Sequence, residues 1–100
     1  MKISLTESAL ADLQEIRIYY EEQLVPQVGI RFVAEILDRI ETLVDNPDIG
    51  RMVPEFNVDD IRELIHKPFR VIYLRESTSI FVVRVWRSER ELNYPEPGET

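Results

Sequence analysis

Arginines in and beside two apolar runs are the side chains in this sequence best suited to do chemistry. The runs FRVIY, residues 69–73, and FVVRVW, residues 81–86, are each interrupted by an arginine, and more basic residues follow the second run. Seven basic residues stand against three acidic ones between Arg62 and Arg90, although the whole chain has a formal net charge of -7. A strand that served only as core would not need these cations. They indicate a sheet face that receives an acidic or phosphate-bearing partner.

Candidate partner-binding residues share a position in or beside the predicted strands, and Arg70 is the strongest because apolar residues flank it on both sides. Arg62 is equally compatible with an internal ion pair, and Trp86 is more readily a packing residue than a platform for a stacked base. Glu89 and Glu91 neutralise part of the charge near the end of the last run. The full set is Arg62, Arg70, Arg84, Trp86, Arg87 and Arg90.

Other reactive groups are sparse, so we predict no metal, no cofactor and no small-molecule ligand. His66 is the only histidine and has no second imidazole to form a dyad or a metal site, which favours a structural or exposed role. The adjacent acidic pairs at 21–22 and 59–60 point apart on regular elements. The absence of cysteine excludes disulfides and thiolate metal sites.

Length and composition indicate one soluble domain in the cytoplasm. One hundred residues suit a single core, and 44% hydrophobic residues argue against disorder. The N-terminal segment MKISLTESAL has no long apolar stretch, so we expect neither a signal peptide nor contact with a membrane. Ten acidic and four basic residues fill positions 1–50, and a chain this acidic is not drawn to nucleic acid in general.

Two helices that position the cationic strands are predicted from apolar residues at three- and four-residue steps. The first extends from about 7 to 24, after a short strand KISL and a possible cap at Thr6. The second extends from about 27 to 45, between Pro26 and the Asn46–Pro47 pair. A connection this short predicts an antiparallel helical hairpin.

Three strands are predicted at 61–66, 69–75 and 80–87, with alternating faces. Phe69, Val71 and Tyr73 should share the face toward the helices, and Arg70 the opposite face. In the last strand, we expect Phe81, Val83 and Val85 to lie on one face of the sheet. The other face should carry Ile80, Val82, Arg84 and Trp86. The order β-α-α-β-β-β predicts an α+β domain over residues 1–92, a helical hairpin on a small, mainly antiparallel sheet, with a flexible tail at 93–100.

Several segments together resemble the RelE/ParE toxin superfamily of bacterial type II toxin–antitoxin modules, over roughly residues 3–92. They are ALADLQEIRIYY, IETLVDNPDIGRMVPEF, IRELIHKPFRVIYL and IFVVRVWRSEREL. The resemblance implies a toxin whose cognate antitoxin folds a C-terminal segment onto it. Salt contacts from a partly acidic antitoxin segment to Arg62, Arg70 and Arg87 would follow from the cationic strip.

Members of this superfamily divide by target, and the residues favour the ParE-like branch, the plasmid stabilisation proteins that inhibit DNA gyrase. RelE-like members cleave mRNA on the ribosome, and here Arg70, Arg87 and Tyr94 would match their site. The preceding strand of such nucleases offers lysines, whereas this one places Glu63 where a phosphate should lie. We therefore expect a gyrase inhibitor that causes growth arrest. The alternatives are a ribosome-dependent endoribonuclease and a non-toxic member that only binds antitoxin.

Overall fold

The computed structural model describes residues 1–87, and it contains every predicted element in the predicted order, with one further strand after the helices. Two helices and five strands form an α+β fold, as expected. The elements are β1 (Lys2–Leu5), α1 (Glu7–Glu22), α2 (Pro26–Glu41), β2 (Arg51–Met52), β3 (Ile61–His66), β4 (Phe69–Arg75) and β5 (Ser79–Arg87), with a 3₁₀ turn (Thr42–Val44) after α2.

The two helices begin and end at identifiable signals. The Thr6 hydroxyl accepts a hydrogen bond from the Ala9 amide at 3.1 Å, which caps α1. Leu24 has a positive φ of 66°, so α1 ends before it rather than continuing to the predicted residue 24. Pro26 opens α2, where a missing amide proton costs nothing. Helix α2 ends at Glu41, and the 3₁₀ turn occupies most of the rest of its predicted length.

A single sheet has the strand order β1-β5-β4-β3-β2. Strand β1 pairs with β5 in parallel, and every other pairing is antiparallel. Strand β2 was not predicted, because two residues inside a loop are too few to show any alternation. In the described part of the chain, β1 and β2 are therefore the edges of the sheet.

One face of the sheet packs against the helical hairpin, and this face contains Phe69, Val71 and Tyr73 as predicted. The predicted alternation of β5 is wrong beyond Val82. Residue Tyr73 pairs with Val82, whereas Ile72 pairs with Arg84, so a bulge at Val83 shifts the register by one residue. The bulge leaves Ile80 and Val82 in the core and brings Val85 to join them. The helices contribute Ala9, Leu13, Ile16, Ile36, Ile40 and Leu43.

Among residues 1–87 neither helix is long and apolar enough to cross a bilayer. The predicted end of the domain at residue 92 and the predicted tail at 93–100 lie outside the described residues.

Candidate functional site

The Arg70 side chain lies within the fold, on the face of the sheet opposite the helices. Its Nε donates to Glu63 Oε1 at 2.7 Å, and its two terminal nitrogens donate to the Glu55 carboxylate at 2.9 and 3.0 Å. Only 4% of the Arg70 side chain is exposed, and Glu63 is fully buried. Glu63 also accepts a hydrogen bond from Arg51 Nε at 2.6 Å. The guanidinium that we expected to face a partner is thus bound on both edges by carboxylates of its own chain.

Glu55 is the half-exposed member of this network and lies between Arg70 and solvent. Its hydrogen bonds from Arg70 lower the pKa of the carboxyl group below its ordinary value. The same contact with Glu55, and then that with Glu63, raise the pKa of Arg70. Because Glu55 belongs to the loop between β2 and β3, the ion pair holds this loop against the sheet. A buried guanidinium between two carboxylates supports local order more than it supports recognition.

Arg62 is engaged on the helix side of the sheet, where it fixes the loop that leads into β2. Its NH1 donates to the carbonyl oxygen of Gly50 at 2.9 Å. Tyr73 holds the same loop, because its hydroxyl donates to the Pro47 carbonyl at 2.9 Å and accepts from the Gly50 amide at 3.0 Å. Burial raises the pKa of the Tyr73 phenol. Arg62 therefore stabilises the conformation of the chain around Gly50.

Arg84 makes a bidentate ion pair with a carboxylate of helix α1. Its Nε and NH2 donate to Asp12 at 2.8 and 3.0 Å, and Asp12 Oδ2 also accepts from the Val85 amide at 2.8 Å. These hydrogen bonds raise the pKa of Arg84. The guanidinium carbon lies 5.2 Å from the centre of the Trp86 ring, within reach of a cation–π contact. The Arg84–Asp12 ion pair thus holds α1 against the end of β5, and Trp86 packs on the Arg84 guanidinium.

Arg87 lies among aromatic rings on the helix side. Its guanidinium carbon is 5.1 Å from the ring centre of Tyr19, 5.9 Å from that of Tyr20 and 5.4 Å from that of Phe69. The register places Arg87 beside Phe69 and Trp86 beside Arg70, so Arg87 and Arg70 emerge on opposite faces of the sheet.

The guanidinium groups therefore do not converge into one open cationic pocket. Arg70 and Arg84 extend from one face and meet different carboxylates, whereas Arg62 and Arg87 lie on the other face, at separate places. Arg90 and Tyr94, the remaining predicted residues, lie outside the described part of the chain. The expectation of one shared pocket is not met among residues 1–87, because the sequence displays each cation but not its acidic partner. A partner-binding role for the individual residues stays a prediction.

The residues that sequence reasoning missed are those partners. Glu55 stands in a loop without periodicity, and Asp12 is 72 positions away from Arg84. Glu63 did give a signal, since a carboxylate in a strand that becomes buried needs a hydrogen-bonding partner, and an arginine is a common one. His66 contacts Glu35 through Nε2 at 3.0 Å, which agrees with the structural role predicted for it. In residues 1–87, no group of three or more histidine or acidic side chains is arranged to hold a metal ion.

Comparison with known proteins points to one family. Residues 3–92 match the family described as the ParE toxin of the type II toxin-antitoxin system parDE. A solved structure, described as "Chromosomal ParDE TA system from P. aeruginosa", contains a chain that is similar to this one, with a TM-score of 0.75 and 27% sequence identity. The similarity covers 89% of this chain and 97% of that one. The search of curated proteins gave no match.

Proposed function

This chain belongs to the ParE toxin family of type II toxin–antitoxin systems, and from that premise we propose that it arrests bacterial growth by binding DNA gyrase. The binding needs no bond-making chemistry from the toxin. It takes place in the cytoplasm, and a cognate antitoxin that covers the toxin prevents it. The complex of antitoxin and toxin would not be toxic.

The state of Arg70 is the observation that carries this proposal. Cleavage of RNA by attack of a 2′-hydroxyl needs a cation that reaches the phosphorane and a base that takes the proton. Arg70 is the strand cation that a RelE-like nuclease would use, and Glu63 and Glu55 occupy both edges of its guanidinium. A phosphate that approached this group would also meet the two carboxylates. To reach the Arg70 guanidinium, the phosphate would have to displace these carboxylates, which disfavours the alternative reaction.

Charge over the whole chain supports the same choice. A formal net charge of -7 opposes association with ribosomal RNA, because affinity for nucleic acid grows with the number of phosphates neutralised. Binding to a protein target needs no such excess of cations. The ribosome-dependent endoribonuclease is thus the less favoured function.

Inducing the chain alone in a bacterial host tests the proposal. We expect growth to stop, the DNA-damage response to rise and total mRNA to stay intact. Coexpression of the protein encoded beside this chain, as the candidate antitoxin, should restore growth. Breakage of translated mRNA without DNA damage would support the nuclease, and unaffected growth would support a member that has lost toxicity.

A substitution at Tyr94 tests the nuclease alternative directly. Tyr94→Phe removes the one hydroxyl that would act in RNA cleavage, and it should leave the growth arrest unchanged. Glu7→Gln, an exposed change in the first turn of α1, serves as the matched control. Loss of arrest in Tyr94→Phe alone, at equal protein level, would favour the nuclease.

A further inference from the structure

The turn that joins the two helices projects a leucine into solvent. Leu24 is 86% exposed, the highest value for a large apolar side chain in residues 1–87. Its φ of 66° lies in the left-handed region, which is unfavourable for a residue with a bulky side chain. The Leu24 amide donates to the Glu21 carbonyl at 3.0 Å, and the Val25 amide donates to the Tyr20 carbonyl at 2.9 Å. These two bonds form a Schellman motif, in which glycine is the usual residue at the position of Leu24.

Two glutamates precede this leucine in the last turn of α1. Glu21 and Glu22 are exposed, and within residues 1–87 neither side chain makes an ion pair or a hydrogen bond. The same turn contains no basic residue. The partial negative charge at the C-terminus of a helix favours cations, so carboxylates are unfavourable there. We call Glu21, Glu22 and Leu24 together the hairpin tip.

Three features of the hairpin tip lower the stability of the free chain. They are the left-handed backbone of a leucine, the exposure of its side chain, and the two carboxylates at the end of a helix. Glycine at position 24 and a basic residue before it would satisfy the local rules better. Such departures are expected where a residue serves function, because binding then compensates for the loss of stability. The hairpin tip therefore has the character of a contact surface.

We propose that the hairpin tip contacts DNA gyrase, with Leu24 in an apolar pocket of gyrase and lysines or arginines at the rim of that pocket paired with Glu21 and Glu22. The inference rests on the proposed function, because that function supplies the partner. The charge of the tip favours this occupant, since an enzyme that holds DNA presents basic surfaces. A second copy of this chain would bring the carboxylates of two tips together across an isologous contact, which like charges oppose.

Leu24→Asn removes the apolar contact and keeps the turn. Asparagine tolerates the left-handed region, so the midpoint of urea unfolding should stay the same or rise. The toxin concentration that halves the supercoiling activity of gyrase should rise about tenfold or more. Leu24→Met, which keeps an apolar side chain, should inhibit as the unchanged toxin does. Leu10→Gln removes another exposed leucine of α1 and should also leave inhibition unchanged. Equal inhibition by Leu24→Asn and the unchanged toxin would overturn the proposal.

Matched double variants separate the charge of the hairpin tip from the net charge of the chain. Glu21→Lys/Glu22→Lys should weaken inhibition of gyrase about tenfold or more, because like charges would then meet. The same variant should unfold at a higher urea concentration, since cations suit the C-terminus of α1. Asp59→Lys/Asp60→Lys changes an exposed acidic pair before β3 by the same charge and should weaken inhibition much less. Equal weakening in both double variants would overturn the proposal.

The unchanged toxin in the same assay distinguishes the inference from the function on which it rests. If the unchanged toxin does not inhibit gyrase, both are overturned. If it inhibits and Leu24→Asn inhibits equally, only the role of the hairpin tip is overturned. We expect the candidate antitoxin encoded beside this chain to bind Leu24→Asn as tightly as the unchanged toxin. Weaker binding of the antitoxin with full inhibition of gyrase would assign the tip to the antitoxin instead. A dimer of the toxin that Leu24→Asn dissociates, seen by sedimentation, would assign it to a second copy and likewise overturn the proposal.

Discussion

The Arg70 guanidinium donates its hydrogen bonds to carboxylates of its own chain. Its donors go to two carboxylates that differ in exposure, since the Glu63 side chain is fully buried whereas that of Glu55 is 50% exposed. A buried ion pair recovers its desolvation cost only when the geometry is good and every charge has a partner. Arg70 therefore stabilises the face of the sheet opposite the helices through its ion pairs with these two carboxylates.

Removing each carboxylate separately should show this difference. Glu63→Ala leaves Arg70 buried and incompletely neutralised, so we expect a loss of about 3–5 kcal/mol in the free energy of unfolding. Glu55→Ala, after allowance for solvent screening, should cost about 1 kcal/mol or less. Urea unfolding followed by circular dichroism measures both. Similar losses in the two variants would contradict a buried centre at Arg70.

Protonation of Glu55 should contribute to acid unfolding. Its pKa is lowered in the fold, chiefly by the hydrogen bonds from Arg70, so its stabilising contribution is present above the pKa of the unfolded chain, about 4.3. That contribution is lost as the pH falls through the lower pKa of the folded state. Glu55→Gln should therefore flatten the decline in unfolding free energy below about pH 4.

The control is Glu22→Gln, which removes an exposed carboxylate without an ion-pair partner in residues 1–87. We expect its curve to parallel that of the unchanged chain in urea titrations from pH 7 down to pH 3. If Glu22→Gln flattened the decline as much as Glu55→Gln, the effect would come from net charge and not from the pair with Arg70.

At the scale of elements, a tight loop before β2 anchors the strand edge. A Cβ added to Gly50 would lie 2.6 Å from the Tyr73 hydroxyl oxygen and 2.7 Å from the Glu63 carbonyl oxygen. Gly29, where α1 and α2 cross, would place a Cβ 3.1 Å from the Arg17 Cα. The first contact leaves no room between buried groups, whereas the second is a close approach of two helices that can move slightly apart.

Alanine at these two glycines should give different results. Gly50→Ala should lower the free energy of unfolding by about 2 kcal/mol or more, because overpacking displaces Tyr73 from its hydrogen bonds. Gly29→Ala should stay within about 1 kcal/mol of the unchanged chain, because a gain in helix propensity offsets the tighter packing. Thermal and urea unfolding measure both. A more damaging Gly29→Ala would mean that the helical hairpin, and not the loop, is the more constrained element.

Elements were more predictable from the sequence than the contacts between them. Local periodicity and proline positions indicate α1, α2 and the three long strands, since these signals lie within a few neighbouring residues. The bulge at Val83 and the two-residue strand β2 depend on the pairing of distant segments. The same limit hid the Asp12–Arg84 pair, because a sequence shows which charges exist but not which of them a register brings together.

At the scale of the whole molecule, opposite charges are distributed unequally between interior and surface. Within residues 1–87, carboxylates of the chain neutralise most of the strand arginines, and the helical hairpin retains acidic groups without an ion pair, such as Asp38 and Glu41. A surface of this kind suits protein partners and disfavours RNA. The charge distribution thus supports the proposed class of target, a protein that the toxin binds.

Supercoiling of plasmid DNA by purified gyrase, with increasing amounts of the purified toxin, is the most direct measurement of the central claim. We predict that supercoiling stops, that cleaved DNA held by gyrase accumulates and that prior addition of the antitoxin prevents both effects. Translating ribosomes given the same toxin should keep their mRNA intact. Unimpaired supercoiling at toxin concentrations that cut ribosome-bound mRNA would contradict the account.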